Sequence, residues 1–207
     1  CLNIQGELKL PNTVSEIGFN SFYDCSKLTS VSIGSGIEKI NCYSFFFCIG
    51  LTGELKIPDT VREIDDYSFY GCIGITSIKF SEKLDRINGF AFASCTNLSQ
   101  LVLCSRVTLG KNCFANCYNI INIDFNETKE IEEYAFYSCI GITNLTLGNS
   151  IQKVWHYAFR NCTGIKEIFV PKQLLSNDFG KGVFYGCKGL TGATKFPDHF
   201  TYIPQEY

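Results

Sequence analysis

The sequence predicts an α/β solenoid: a right-handed coil of about nine repeats of 22–25 residues, with a parallel β-sheet on its concave side and short strands or 3-10 turns on its convex side. Three observations predict it. A cysteine recurs through the chain at Cys1, Cys25, Cys48, Cys72, Cys95, Cys117, Cys139, Cys162 and Cys187. Three residues before each cysteine from the second onward stands a phenylalanine: Phe22, Phe45, Phe69, Phe92, Phe114, Phe136, Phe159 and Phe184. Three residues after each stands Leu or Ile, from Ile4 and Leu28 to Ile165 and Leu190. Self-similarity at a fixed period of this length is the signature of stacked repeats, each unable to bury its own apolar side chains but able to bury them against its neighbours.

Each element of the repeat follows from the residues between these landmarks. After the Leu or Ile comes a short alternating segment, as in Ile78 and Phe80, Leu101 and Leu103, Leu145 and Leu147. Period-two alternation over so few residues reads as a strand with one buried face. Three units carry one extra residue here, in GELKLP, GELKIP and GATKFP. Pro11, Pro58, Pro171 and Pro197 end their strands, because proline has no N–H to donate to a ladder. A second apolar pair follows, such as Val61 and Ile64 or Ile151 and Val154, and a small residue with the repeat Phe closes the turn. The spacings Cys95–Cys117 and Cys117–Cys139 are each one residue short, and the stretch from Leu174 to Phe179 is longer and poorly phased. Because no Ser/Gly/Pro-rich gap interrupts the phase, residues 1–207 read as one domain, cut within a repeat at both ends as a fragment of a longer array.

The unit C-x-x-L-x-x-[IV]-x-[ILF]-P-x-x-[VL]-x-x-I-x-x-x-[AS]-F-x-x-C resembles the BspA-like, or Treponema-type, leucine-rich repeat. The segment from Cys48 to Cys72, CIGLTGELKIPDTVREIDDYSFYGC, is similar to that consensus throughout. The resemblance implies a curved leucine-rich-repeat solenoid displayed on the surface of mucosal bacteria or protozoa, acting in adhesion to host cells and matrix.

Bulk properties narrow the function classes. With 45% hydrophobic and 18% charged residues the chain can build a core, and its formal charge of −2 gives no reason to expect nucleic acid or an acidic membrane as partner. No apolar run reaches the ~20 residues of a membrane span. Twelve cysteines invite a disulfide reading, but side chains pointing inward in parallel along a coil fit a ladder of reduced, buried thiols better. The off-ladder Cys42, Cys104 and Cys113 are the better candidates for reactive thiols, with an ordinary structural cysteine the blander reading of each.

No motif points to an enzyme, a cofactor or a metal site. His156 sits on the turn before Phe159, where other units carry Asp66, Gly89 or Glu133, and reads as a solvated turn residue. Asp65-Asp66 and Glu132-Glu133 are neighbours in a turn, expected to diverge as a charged outer edge. What remains is a surface. Alternate residues of each strand give an outward row, including Glu7 and Lys9, Ser30 and Ser32, Glu54 and Lys56, Ser77 and Lys79, and Ala193 and Lys195. The candidate partner-binding residues of this concave row are Gln100, Val102, Asn122, Asp124, Asn144, Thr146, Glu167 and Phe169. Val102 and Phe169 are apolar in a polar row, and exposed aromatics are common interface anchors. Such a surface, broad and without a deep pocket, suits a protein or glycan ligand. Sequons at Asn97, Asn126, Asn144 and Asn161 would obstruct part of it if glycosylated. The function expected is therefore a non-enzymatic adhesion module at a cell surface. The alternatives are an intracellular protein-interaction scaffold and a self-assembling structural array.

Overall fold

The computed structural model describes residues 4–103, 106–174 and 178–190. It is a parallel β-solenoid in which each coil contributes one longer and one shorter strand. The longer strands are β1 (Gln5–Lys9), β2 (Lys27–Ser32), β4 (Gly53–Lys56), β6 (Ile75–Lys79), β8 (Gln100–Val102), β10 (Asn122–Asp124), β12 (Asn144–Thr146) and β14 (Glu167–Phe169). The shorter ones are β3 (Lys39–Ile40), β5 (Glu63–Ile64), β7 (Arg86–Ile87), β9 (Thr108–Leu109), β11 (Glu130–Ile131) and β13 (Lys153–Val154). All pairings are parallel between successive coils.

Two expectations need correction. Eight long strands bound about seven complete turns rather than about nine, since the rungs at Cys1 and beyond Leu190 lie outside the described residues. The side opposite the long strands carries two-residue strands and hydrogen-bonded turns, with no α-helix among the described residues, so the coil is β rather than α/β. The cause is the segment before each cysteine: six residues that hold two left-handed positions cannot continue a right-handed helix. Asn20, Tyr43, Tyr67, Phe90, Asn112, Tyr134 and Tyr157 take φ of 55–59°, and Asp24, Phe47, Ser94, Asn116, Ser138 and Asn161 take 53–61° at the second position.

The extra residue of the GEL units is absorbed where the chain enters the long strand. There the register against the next coil shifts, between Gly6 and Glu7 and between Gly53 and Glu54, leaving Thr29 and Thr76 of the following strand unmatched, with φ of 79° and 76° at the two glycines, a region open to glycine at no steric cost. The GATKFP unit lies outside the described residues. The two shortened coils keep their short-strand register, Arg86 to Thr108 to Glu130. The poorly phased stretch leaves only an isolated bridge from Val154 to Phe179.

The interior repeats as rungs. Phe45, Phe69, Phe92, Phe114, Phe136 and Phe159 are fully buried, and Phe184 nearly so. Successive rings from Phe22 to Phe184 stack at centroid distances of 5.1, 5.1, 5.2, 5.5, 5.6, 5.1 and 5.8 Å. Each such ring contributes about 1.5–3 kcal/mol by burial, and about 0.5–1.5 kcal/mol more from aromatic pairing. The cysteines pack one turn further on. Each thiol from Cys48 to Cys187 donates to the carbonyl oxygen of the phenylalanine one coil earlier, Cys72 to Phe45 at 3.1 Å and Cys162 to Phe136 at 3.0 Å. The ladder is thus a column of S–H donors, and the described cysteines are all free. A serine could make the same bond, but not while filling the same apolar volume.

Candidate functional site

Along the long strands, burial alternates as the sequence pattern requires. In β8, β12 and β14 the middle residue is buried and its two neighbours are exposed. All eight candidate residues are exposed. Register pairs them as Gln100 with Asn122, Val102 with Asp124, Asn144 with Glu167, and Thr146 with Phe169. They form two rows across four successive strands. Val102 is 56% and Phe169 50% exposed, large values for apolar side chains on a sheet whose inward residues are sealed.

The long-strand face is dished rather than flat. An open groove of about 530 Å³ runs over Glu54, Ser77, Lys79, Gln100 and Val102, and it is walled by Phe80, Glu82, Asn126 and Glu127 from the loops beyond the strands. A smaller groove of about 310 Å³ adjoins it and shares Glu54 and Lys79. The strand residues were legible from the alternation. The loop walls were not, because no period-two rule reaches past the strand end. Among the outward residues of the long strands, Glu7–Lys9 at 3.0 Å and Glu54–Lys56 at 3.4 Å are exposed ion pairs, each worth about 0–1 kcal/mol.

The residues considered for chemistry have structural roles. Cys113 is fully buried, and burial holds its thiol well above the ordinary value. Cys42 is half-buried, and burial with the neighbouring Asp65 pushes its thiol up to about 11, so it carries little thiolate at neutral pH. Both fit the reading of an ordinary structural cysteine, and Cys104 lies outside the described residues. His156 is half-buried, and its Nδ1 accepts the Lys181 amide at 2.7 Å, which makes it a tie between coils rather than a solvated turn residue.

The paired carboxylates bridge coils in the same way. Asp65 is held by Lys39 at 3.0 Å, and Asp66 accepts the Gly89 amide at 2.6 Å. Glu132 takes Arg86 at 2.6 Å, and Glu133 takes Lys111 at 3.2 Å. Burial alone would raise the Asp65 carboxyl, but hydrogen bonds from Cys42 and Lys39 outweigh it and leave the group below the usual carboxylate range. Among the described residues, Cys42, Asp65 and Asp66 are the one trio close enough to share an ion. Two of the three are already engaged, Asp65 with Lys39 and Asp66 with the Gly89 amide.

Three of the four sequon asparagines are also engaged, Asn97 accepting from the Asn119 amide at 3.5 Å. The Asn126 amide donates to the Leu103 carbonyl at 2.5 Å, and the Asn161 amide lies 3.4 Å from the Tyr137 hydroxyl. Asn97 and Asn144 are exposed.

A coil with a sealed aromatic–thiol interior and a patterned outer row defines a repeat protein of the leucine-rich class, a class of protein-binding modules. The chain belongs to the BspA type leucine rich repeat family, whose model matches in six copies over residues 1–120 and 105–207. Its fold is similar to that of a crystallised leucine-rich repeat protein of T. pallidum, with 22% identity and a TM-score of 0.71, over 93% of this chain and 78% of that one. A leucine-rich repeat protein of Eubacterium ventriosum matches with 20% identity and a TM-score of 0.56, over 93% of this chain and 60% of that one. A leucine rich cell surface protein of Faecalibacterium prausnitzii matches at 19% identity with a TM-score of 0.47, over 90% of this chain and 79% of that one. At these identities the first two likenesses speak to the fold alone. No curated protein matches the chain. Among the described residues no helix is long and apolar enough to cross a membrane.

Proposed function

We propose that this protein is a non-enzymatic adhesion module, displayed at a cell surface, that holds a protein or glycan of a host or neighbouring cell against its long-strand face. The observation that carries the reading is the exposure of Val102 and Phe169 in a polar row on a dished sheet. Burying such isolated apolar groups under a partner supplies anchoring energy, and the surrounding amides, hydroxyls and carboxylates supply orientation.

The test is attachment of cells displaying the chain to epithelial monolayers, with the double variant Phe169→Ser, Asp124→Ser alongside. The expected result is a fall in attachment of about tenfold, equivalent to about 1.4 kcal/mol, with the melting temperature unchanged. Equal attachment would remove this face from consideration. A second reading, an intracellular scaffold, is favoured by the free cysteines, which suit a reducing compartment. Protease shaving of intact cells separates the two, since only a displayed chain is cut.

A further inference from the structure

The formal charge of −2 averages over an uneven distribution. Residues 4–133 hold sixteen acids and eleven cations, whereas residues 134–190 hold six cations against two acids, Glu167 and Asp178. The pairing differs too. Seven of the eleven earlier cations, from Lys9 to Lys111, are in ion pairs. Among the described residues, none of Lys153, Arg160, Lys166, Lys172, Lys181 and Lys188 has a carboxylate partner; Lys153 rests on the Trp155 ring instead.

Three of these cations fall in the stretch of the last coils that runs from the turn to the long strand. Arg160 and Lys166 lie on successive parts of one coil, and Lys188 lies on the next coil at the position of Thr163, with the Gly189 backbone packed on the Thr163 carbonyl. Arg160 is the fixed point. Its guanidinium lies 5.4 Å from the Tyr157 ring centroid and 4.8 Å from that of Tyr185, and its buried Nε has no hydrogen-bond partner. Its sequence neighbour Asn161 donates to the Tyr137 hydroxyl at 3.4 Å, and Thr163 of the same coil is exposed. A clamped guanidinium suits two-pronged recognition of a compact tetrahedral oxyanion, and exposed lysines add point charges on either side.

We propose that this stretch of the last coils binds a sulfated glycan chain, at a surface separate from the long-strand face and independent of the reading given to that face. A glycan fits better than nucleic acid, because Arg160 sits beside the Tyr157 and Tyr185 rings, aromatic faces on which a sugar ring can pack while the cation takes its sulfate. The dense phosphate row of a duplex calls for a longer basic stripe.

The experiment measures binding of the full chain to a heparin oligosaccharide, with desulfated heparin, polyglutamate and duplex DNA as competitors at matched charge. Heparin should bind and weaken with salt, while the three competitors fail to displace it. The Lys166→Gln, Lys188→Gln pair, both exposed and so compatible with folding, should weaken binding about tenfold through two lost charge-assisted contacts. Arg160→Lys, which keeps the charge but loses the planar fork, should weaken it as well. The control pair Lys27→Gln, Lys83→Gln should leave it unchanged. The proposal is overturned if heparin does not bind, if polyglutamate or DNA competes equally, or if the control pair loses as much.

Discussion

The inward and outward residues of the long strands come from the same few positions, yet they behave as two different molecules. Inward, Leu101, Leu145 and Ile168 vary only within aliphatic side chains and stay sealed. Outward, their neighbours change from coil to coil: Gln100, Asn122, Asn144 and Glu167 in one row, and Val102, Asp124, Thr146 and Phe169 in the other. The pleat assigns stability to one set and leaves the other free, so recognition can diverge without disturbing the coil. The comparison can be broken or sharpened by measurement.

The largest effect should come from alkali. In the folded chain, burial pushes the thiols of Cys48, Cys95 and Cys139 up to about 12 and holds those of Cys72, Cys113, Cys117 and Cys162 well above the ordinary 9.0. In the unfolded chain these thiols ionise near the ordinary value. The unfolded state therefore binds fewer protons above pH 9, and stability is complete below that pH and lost as pH rises toward 12. At pH 10 each buried thiol should cost about 1 kcal/mol, enough in sum to unfold the coil. Circular dichroism at fixed temperature from pH 7 to 11 checks this, and a flat profile to pH 11 would mean the thiols are not sealed.

Next in size is Phe92→Ala, which removes a ring stacked on both sides and should cost about 3–5 kcal/mol in denaturant unfolding. A loss below about 1 kcal/mol would place the rung at the surface. A gain should come from Thr128→Val. Thr128 is fully buried where other coils carry Val61, Leu84, Val107 or Ile151, and its hydroxyl has no partner. Replacing it with an isosteric apolar side chain should stabilise by about 1 kcal/mol, and destabilisation would reveal an unseen bond. The smallest effect belongs to the outward row: Val102→Ser should shift stability by less than about 0.5 kcal/mol.

The interior was legible in the sequence because it repeats. Phe92 and Cys95 could be placed without coordinates, as could the outward row from Gln100 to Phe169. What escaped was whatever joins one coil to the next. Lys39 reaching Asp65, Arg86 reaching Glu132 and His156 receiving the Lys181 amide are separated by about one to two repeat lengths in sequence, and no local pattern marks them. The turns escaped too, because Tyr43, Tyr67 and Phe90 sit in a left-handed conformation usually filled by glycine or asparagine. Stacking of Tyr67 against Tyr43 at 4.9 Å and Phe90 at 4.7 Å offsets that strain, and it becomes visible only once the coils are aligned. The thiols were expected to be passive filler, and their bond to the previous phenylalanine carbonyl follows from the same unseen offset.

That thiol-to-carbonyl bond has a consequence for how such a protein can change over generations. Every coil offers its successor the same acceptor and receives the same donor, so a whole unit can be duplicated or deleted without leaving an orphaned group on either side of the join. The added residue of the GEL units falls elsewhere, at the glycine where the long strand begins. Growth and shrinkage of the array in whole steps thus cost the interior almost nothing, while each added step brings a fresh pair of outward side chains for selection to test.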